Sequence, residues 1–254
     1  MSEKISEIKK KFEAASENEL PSLIKEYETD GRKGVDNLIA AANRKIQALE
    51  NEMARIDAML EFERKYGEYE FICGIDEAGR GPLAGPVVAG AVILPKDEKI
   101  LYVNDSKKLS EKKREELYDV IMERAIAVGV GIVDNNRIDE INILNATYEA
   151  MKMAINNLSI RPDILLNDAV KIPGVDIAQV PIIKGDAKSL SIAAASIIAK
   201  VTRDRIMKKY AKQYPEYGFL DNKGYGAKKH IEALEQIGAC PIHRKTFIKN
   251  FKVI

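Results

Sequence analysis

Cysteine and histidine are scarce: the chain has two of each, Cys73 and Cys240, His230 and His243. Two cysteines cannot make a disulfide framework, which favours a reducing compartment. Cys240 and His243 form a C-x-x-H, but a zinc site would need nearly every cysteine and histidine at once. The simpler expectation is a buried cysteine and a structural histidine near the C-terminus. Long apolar runs are missing too; none approaches the roughly 18 residues of a membrane span. The opening segment, Met1 to Glu13, is charged throughout and lacks the apolar core of a signal peptide. These absences argue against a disulfide-built secreted fold and a helical membrane protein, and they point to the cytoplasm. No internal repeat or low-complexity tract is present.

Hydrophobic residues make up 46% of the 254 and charged residues 31%, a balance that fits a globular protein with a real core. That length allows one large domain, or a medium one with a small companion. The net charge is only +1, yet the charges are unevenly spread. Residues 181–254 hold 15 Lys/Arg against 6 Asp/Glu, net +9, whereas residues 1–70 hold 12 against 16, net −4. A basic C-terminal third is what a polyanion-binding surface looks like, although a solvated charged helix face reads the same way.

Residues 1–69 read as a separate helical segment. Val35, Ile39, Ala42, Ile46, Leu49, Met53, Ile56 and Leu60 step by fours and threes, which makes one continuous seam along a long helix. Shorter stripes at Ile5, Ile8, Phe12 and Ala15, and at Leu20, Leu23, Ile24 and Tyr27, are placed to pack against it. Thr29 to Gly34 reads as a turn. A small all-α hairpin or bundle is expected, serving as scaffold, as a partner contact, or as extra nucleic-acid grip through Arg32 and Lys33. The pattern then changes. Strands are expected at 71–76, 87–94, 128–133, 163–168 and 178–183, with helices at 110–127, 138–158, 189–212 and 227–238. Strands alternating with helices define an α/β domain over residues 70–254.

The chemistry concentrates where the first strand ends. An apolar strand delivers Asp76 and Glu77 into the turn Gly79-Arg80-Gly81-Pro82. Adjacent carboxylates are costly to hold together unless a cation sits between them or one is protonated. Oxygen ligands without a nearby His or Cys point to Mg²⁺ or Mn²⁺. Side chains alternate along a strand, so both acids face one cleft only if the strand ends or bulges there. Two more acids close apolar segments. Asp168 follows Ile164-Leu165-Leu166-Asn167, and Asp186 lies beside Lys184, Lys188, Ser189 and Ser191 just ahead of a helix. That helix start offers backbone N–H groups and a positive dipole suited to phosphate, and the lysines and hydroxyls would add donors. Four carboxylates converging from separate segments are the equipment of a two-metal phosphodiester hydrolase, though each alone is as readily a cap or turn residue. Gly79-x-Gly81-x-x-Ala84 formally fits a dinucleotide fingerprint, but that motif must open a helix, and here Val87-Val88 return the chain to a strand.

The stretch Gly74-Ile75-Asp76-Glu77-Ala78-Gly79-Arg80-Gly81-Pro82-Leu83-Ala84-Gly85-Pro86-Val87-Val88 closely resembles the opening motif of ribonuclease HII. The resemblance continues at Asn104-Asp105-Ser106-Lys107-Lys108-Leu109-Ser110, at Lys184-Gly185-Asp186, from Ser191 to Asp204, at Asn222-Lys223-Gly224-Tyr225-Gly226 and at Cys240-Pro241-Ile242-His243-Arg244. It spans residues 71–247. The N-terminal helices resemble an extension carried by some bacterial members. The resemblance implies a ribonuclease H-like fold: a mixed sheet flanked by helices, a helical C-terminal portion over the substrate, and a small all-α N-terminal domain. It implies that Asp76, Glu77, Asp168 and Asp186 are catalytic and hold two Mg²⁺ or Mn²⁺ ions in the substrate complex. Gly79, Arg80 and Gly81 resemble the turn that reads the ribonucleotide 2′-hydroxyl by backbone contacts. Tyr225 resembles the tyrosine that stacks on the following sugar, and Lys107, Lys184, Lys188 and Ser189 resemble phosphate contacts. Asn167 departs from the family pattern, where an apolar residue precedes the metal ligand, and is expected to alter packing or a hydrogen bond behind Asp168. Asp204 is the runner-up for the fourth acid.

The function so implied is a metal-dependent endonuclease. It would cut the RNA strand of RNA/DNA hybrids, and single ribonucleotides embedded in duplex DNA at the RNA–DNA junction, leaving 3′-hydroxyl and 5′-phosphate ends. Hybrid and ribonucleotide-containing duplex are the expected partners, no membrane is involved, and a monomer is expected. The alternatives are a non-catalytic hybrid-binding protein and a ribonuclease HIII-like preference for long hybrids. The intact acids count against the first and the Gly-Arg-Gly turn against the second.

Overall fold

The computed structural model describes residues 3–251, so the last three residues of the basic third lie outside it. The chain forms two compact units, one up to Asp57 and one from Ala58 onward. In the first, α1 (Ile5–Ala14), α2 (Leu20–Tyr27) and α3 (Lys33–Met59) contribute to a core of Ile8, Phe12, Leu20, Tyr27, Val35 and Ala42. The seam of fours and threes does make one long helix: Ile39 and Ile46 line this core and Ile56 is fully buried, while Met53, at 45% exposed, is the exception along it. Arg32 is not free to grip nucleic acid. Its guanidinium binds both carboxylate oxygens of Asp30, at 2.6 and 2.7 Å, and donates to the Glu3 carbonyl.

The second unit begins with α4 (Glu61–Lys65), so residues 58–69, grouped above with the N-terminal helices, pack here. The α/β body follows in the order β1 (Ile72–Ala78), β2 (Val87–Ile93), α5 (Glu111–Arg124), β3 (Ala127–Val133), α6 (Asn135–Asn156), β4 (Ile164–Asp168), β5 (Ala178–Ile182), α7 (Leu190–Gln213), α8 (Phe219–Asn222) and α9 (Lys228–Ile237). The strands form one mixed sheet in the order β3-β2-β1-β4-β5. β1, β2 and β3 pair antiparallel, while β1, β4 and β5 pair parallel.

Alternation along the strands divides their side chains between two layers. Cys73, Ile75 and Leu165 pack with Ile138, Ala150, Met151 and Ala154 of α6. Ile72, Ile164 and Leu166 face the other way, toward Ile192 of α7. α7 approaches so closely that a Cβ on Gly74 would stand 2.1 Å from the Ser191 carbonyl carbon, which explains a glycine in the middle of this strand. Ser110, Asp134 and Ser189 cap α5, α6 and α7 with side-chain oxygens. α6 departs from the single helix expected over 138–158. Asn142 has φ 66°, and its side-chain oxygen accepts the N–H groups of Leu144 and Asn145, which restarts the helix. α8 and α9 belong to a helical C-terminal portion with its own core of Met207, Tyr217, Phe219, Leu234 and Ile242. Among the described residues, no helix is long and apolar enough to cross a membrane.

Candidate active site

The parallel register of β1 and β4 sets Ile75 opposite Asn167. The next residues, Asp76 and Asp168, therefore stand side by side on the α7 face, at the carboxyl ends of their strands, where open α/β sheets bind ligands. Asp186 arrives from the 3₁₀ turn between β5 and α7. One carboxylate oxygen from each of Asp76, Asp168 and Asp186 lies within 4.8 Å of the others. Burial, then Glu77, pushes the Asp76 carboxyl well above the usual carboxylate range, with Asp168 adding to the rise and the Ser196 hydroxyl opposing it. Asp186 is raised as well, by burial and then by Asp105 and Asp168. Crowded carboxylates repel unless a cation joins them, and a set of hard oxygens fits a divalent ion of the Mg²⁺ or Mn²⁺ kind.

Glu77 stays outside this trio. β1 remains regular through Ala78, pairing Asp76, Glu77 and Ala78 with Gly90, Ala89 and Val88, so neither the strand end nor the bulge needed to turn both acids one way occurs at Glu77. Its carboxylate lies 3.4 Å from Arg80. Burial raises its pKa against the pull of Arg80, and Asp168 is near enough to raise it further. Lys107 borders the cluster. Burial opposes its charge, but Asp105, Asp76, Asp186 and Asp168 together hold the ammonium above its usual range. Asp105 and Ser196 were not foreseen as site residues. Asp105 accepts the Lys107 N–H and its charge helps raise Asp186, while Ser196 meets the Ser106 hydroxyl at 2.9 Å. In the sequence, Asp105 reads as a turn residue and Ser196 as one small residue in an alanine-rich helix; only their places within the family motifs hinted at more.

Ser189, expected to hold phosphate, does not reach the surface. It is fully buried, and its hydroxyl donates to Glu63 of α4 at 2.6 Å. The Ser191 N–H and hydroxyl donate to the same Glu63 oxygen at 3.0 and 2.7 Å. A carboxylate thus already occupies the positive end of α7. Lys184 and Lys188 remain exposed, and the Gly185 N–H donates to Asp168 at 2.7 Å. Asp204 is no fourth member of the trio: it is buried against Lys200, at 2.7 Å, and Arg114, at 3.6 Å. Asn167 donates to Gln179 at 2.9 Å, and Gln179 bonds both backbone groups of Ile172, bracing the loop that follows Asp168.

The Gly-Arg-Gly turn and Tyr225 come together. A Cβ on Gly81 would lie 3.8 Å from the Tyr225 ring, which is 46% exposed. Behind Tyr225, the two histidines meet through their Nε2 atoms at 2.9 Å. The Cys240 N–H donates to His243 Nδ1, and His230 Nδ1 donates to the Tyr225 carbonyl at 2.8 Å. This places the shared proton on His243 Nε2. Every ring nitrogen is engaged, and both rings pack on Tyr217 and Phe219, so the C-x-x-H is a structural cluster rather than a zinc site.

A mixed sheet of this order, with carboxylates converging at the ends of β1 and β4, defines a metal-dependent nuclease of the ribonuclease H class. Residues 73–250 match the family model for ribonuclease HII, and residues 4–67 match that for the ribonuclease HII N-terminal domain. A ribonuclease HII of Lachnoclostridium phytofermentans is 60% identical over 250 residues, 98% of each chain, and one of Clostridioides difficile is 55% identical over 248 residues, 97% of each. The crystal structure of ribonuclease H2 from Pyrococcus horikoshii aligns with a TM-score of 0.61 at 30% identity, over 72% of this chain and 97% of that one. Bst-RNase HIII in complex with Mn²⁺ shares the fold, with a TM-score of 0.50 at 18% identity over 72% of this chain and 63% of that one. The chain belongs to the ribonuclease HII family and is an endoribonuclease of the ribonuclease H type.

Proposed function

We propose that this enzyme cuts duplex DNA at embedded single ribonucleotides, at the RNA–DNA junction, as well as the RNA strand of RNA/DNA hybrids, leaving 3′-hydroxyl and 5′-phosphate ends. The observation that carries this reading is the convergence of Asp76, Asp168 and Asp186 from three separate segments. These carboxylates would hold Mg²⁺ or Mn²⁺, with Glu77 contributing from the edge of the cluster. Such ions, when bound, supply water activation and charge neutralisation at the scissile phosphate. The chain's own residues bind and orient the substrate. Lys107, Lys184 and Lys188 are exposed and suited to the phosphates of the cut strand. Arg80 and Gly81 are exposed on a turn whose backbone N–H groups suit the 2′-hydroxyl, the group that separates RNA from DNA. Tyr225 offers an open ring beside them. Two free thiols support a cytoplasmic setting.

Cleavage of a duplex carrying one ribonucleotide tests the proposal. The Asp168→Asn variant is expected to lose cutting on the order of a thousandfold in Mg²⁺ while binding the duplex nearly as the parent does. Near-parental cutting would remove Asp168 from the mechanism. The same assay on a long hybrid measures preference: stronger cutting of the hybrid with none at the single ribonucleotide would favour the ribonuclease HIII-like alternative.

A further inference from the structure

Behind the loop from Gly79 to Pro86, two arginines are buried without an acidic partner. Arg203 of α7 is 1% exposed and Arg244 is 0% exposed. Among the described residues neither has a carboxylate within ion-pair distance; backbone carbonyls take that place. Arg203 donates to Pro86 at 2.9 Å, Lys223 at 2.9 Å and Ala84 at 3.1 Å. Arg244 donates to Gly85 at 3.0 Å, to Arg80 at 2.8 Å and to Gly79. A guanidinium is a rigid planar fork of five N–H donors, so each side chain fixes three carbonyls in one geometry.

The direction of those carbonyls decides what the loop shows to the outside. A trans peptide carries its C=O and N–H on opposite sides, and the described residues contain no cis bond. Arg244 draws the Gly79 and Arg80 carbonyls inward, so the N–H groups of Arg80 and Gly81 are turned outward, and both residues are exposed. The Ala84–Gly85 peptide follows the same rule: its carbonyl goes to Arg203, and its N–H donates elsewhere, to Ile242. Gly79 itself has φ 96°, and a Cβ there would stand 2.1 Å from Arg203 Nε, so the arginine dictates the glycine. Arg203 also reaches the second recognition element. It holds the Lys223 carbonyl two residues before Tyr225, and its guanidinium carbon lies 5.9 Å from the centre of the Tyr225 ring.

We propose that Arg203 and Arg244 are positioning residues for ribonucleotide recognition: they hold the Gly79–Pro86 loop with the Arg80 and Gly81 N–H groups facing outward, and they set Tyr225 beside it. This inference rests on the reading of the Gly-Arg-Gly turn as the 2′-hydroxyl contact. Burial pulls the Arg203 guanidinium down to about 10 and that of Arg244 down to about 9, which leaves both charged at neutral pH. The loop therefore has two positive charges directly behind it, a favourable field for a polyanion.

Amide exchange, followed by NMR on the full chain, tests the orientation without any substitution. The Arg80 and Gly81 N–H groups should exchange roughly a hundredfold faster than those of Leu83 and Gly85, which donate to Gly224 and Ile242. Equal protection of all four would overturn the proposal. Arg244→Lys and Arg203→Lys keep the charge and lose the fork. Each should lower kcat/KM on a single-ribonucleotide duplex about tenfold or more and shift the Arg80 and Gly81 amide resonances, while Mn²⁺ affinity measured without duplex stays within about twofold. Folded variants that cut like the parent would sink it. A parent enzyme that does not prefer the ribonucleotide duplex over all-DNA duplex would instead sink the reading of the turn. If the lysine variants fail to fold, the exchange measurement on the parent still decides.

Discussion

Asp76, Asp168 and Asp186 and the pair Arg203 and Arg244 are two answers to one problem, charge held within the fold. The acids crowd within 4.8 Å of one another, like charge against like. Of the acids only Asp76 is buried, whereas both arginines are, and three carbonyls accept from each of them. The first region leaves like charge unbalanced; the second is complete on its own. A buried polar group with its partners in place holds a shape, whereas like charges forced together mark the place for a ligand.

The contrast breaks if removing an acid behaves like removing an arginine. Asp76→Asn should cut on the order of a thousandfold more slowly, yet unfold in metal-free urea at the same or a higher midpoint, because a repelling charge is gone. Marked metal-free destabilisation would show that the acids are structural. Arg244→Met should do the opposite to stability. It strips donors from three buried carbonyls and should cost about 3–5 kcal/mol whether or not metal is present, read from the same unfolding curves. A loss below about 1 kcal/mol would mean the carbonyls find other partners.

The histidine cluster sharpens the comparison as a third region, satisfied only while neutral. Burial, then His230, lowers His243 from 6.5 to about 4. The unfolded chain therefore binds that proton more tightly than the folded one. The stabilisation is complete above pH 6.5 and is lost as pH falls through 6.5 toward 4, about 3 kcal/mol in all. His243→Gln should be less stable than the parent at pH 7, and the gap should close on acidification; a gap that does not change with pH would contradict this. The smallest effect is expected at α4. Glu63→Gln keeps the hydrogen-bonding shape but removes charge from the start of α7, and should cost about 1 kcal/mol with only a modest loss of cutting. Unchanged unfolding would leave Glu63 as a bystander.

Much of this was legible in the sequence. Apolar alternation located the strands, the seam of fours and threes located α3, and Asp76 and Asp168 stood out as acids closing apolar strands. Their meeting depended on β1 and β4 pairing in parallel with Ile75 opposite Asn167, a register that no local pattern encodes. Ser189 was misread because its partner, Glu63, lies 126 residues away. With Glu63 invisible, a hydroxyl near a helix start looks like a phosphate donor. Charge counting misplaced Arg203 and Arg244 in the same way. It entered them into a basic surface, whereas both point inward, because a count of cations carries no direction. Glu77 was grouped with the trio on its adjacency to Asp76 and on the family resemblance, and the regular pairing of β1 through Ala78 sets its carboxylate at the edge of the cluster, beside Arg80.

The central claim is that three aspartates from distant stretches share a divalent cation. Anomalous diffraction from crystals soaked in Mn²⁺ tests it most directly. The account predicts a peak enclosed by the carboxylates of Asp76, Asp168 and Asp186, absent in Asp168→Asn. Mn²⁺ bound instead at Asp204 or at the histidine pair, with the trio empty, would contradict it.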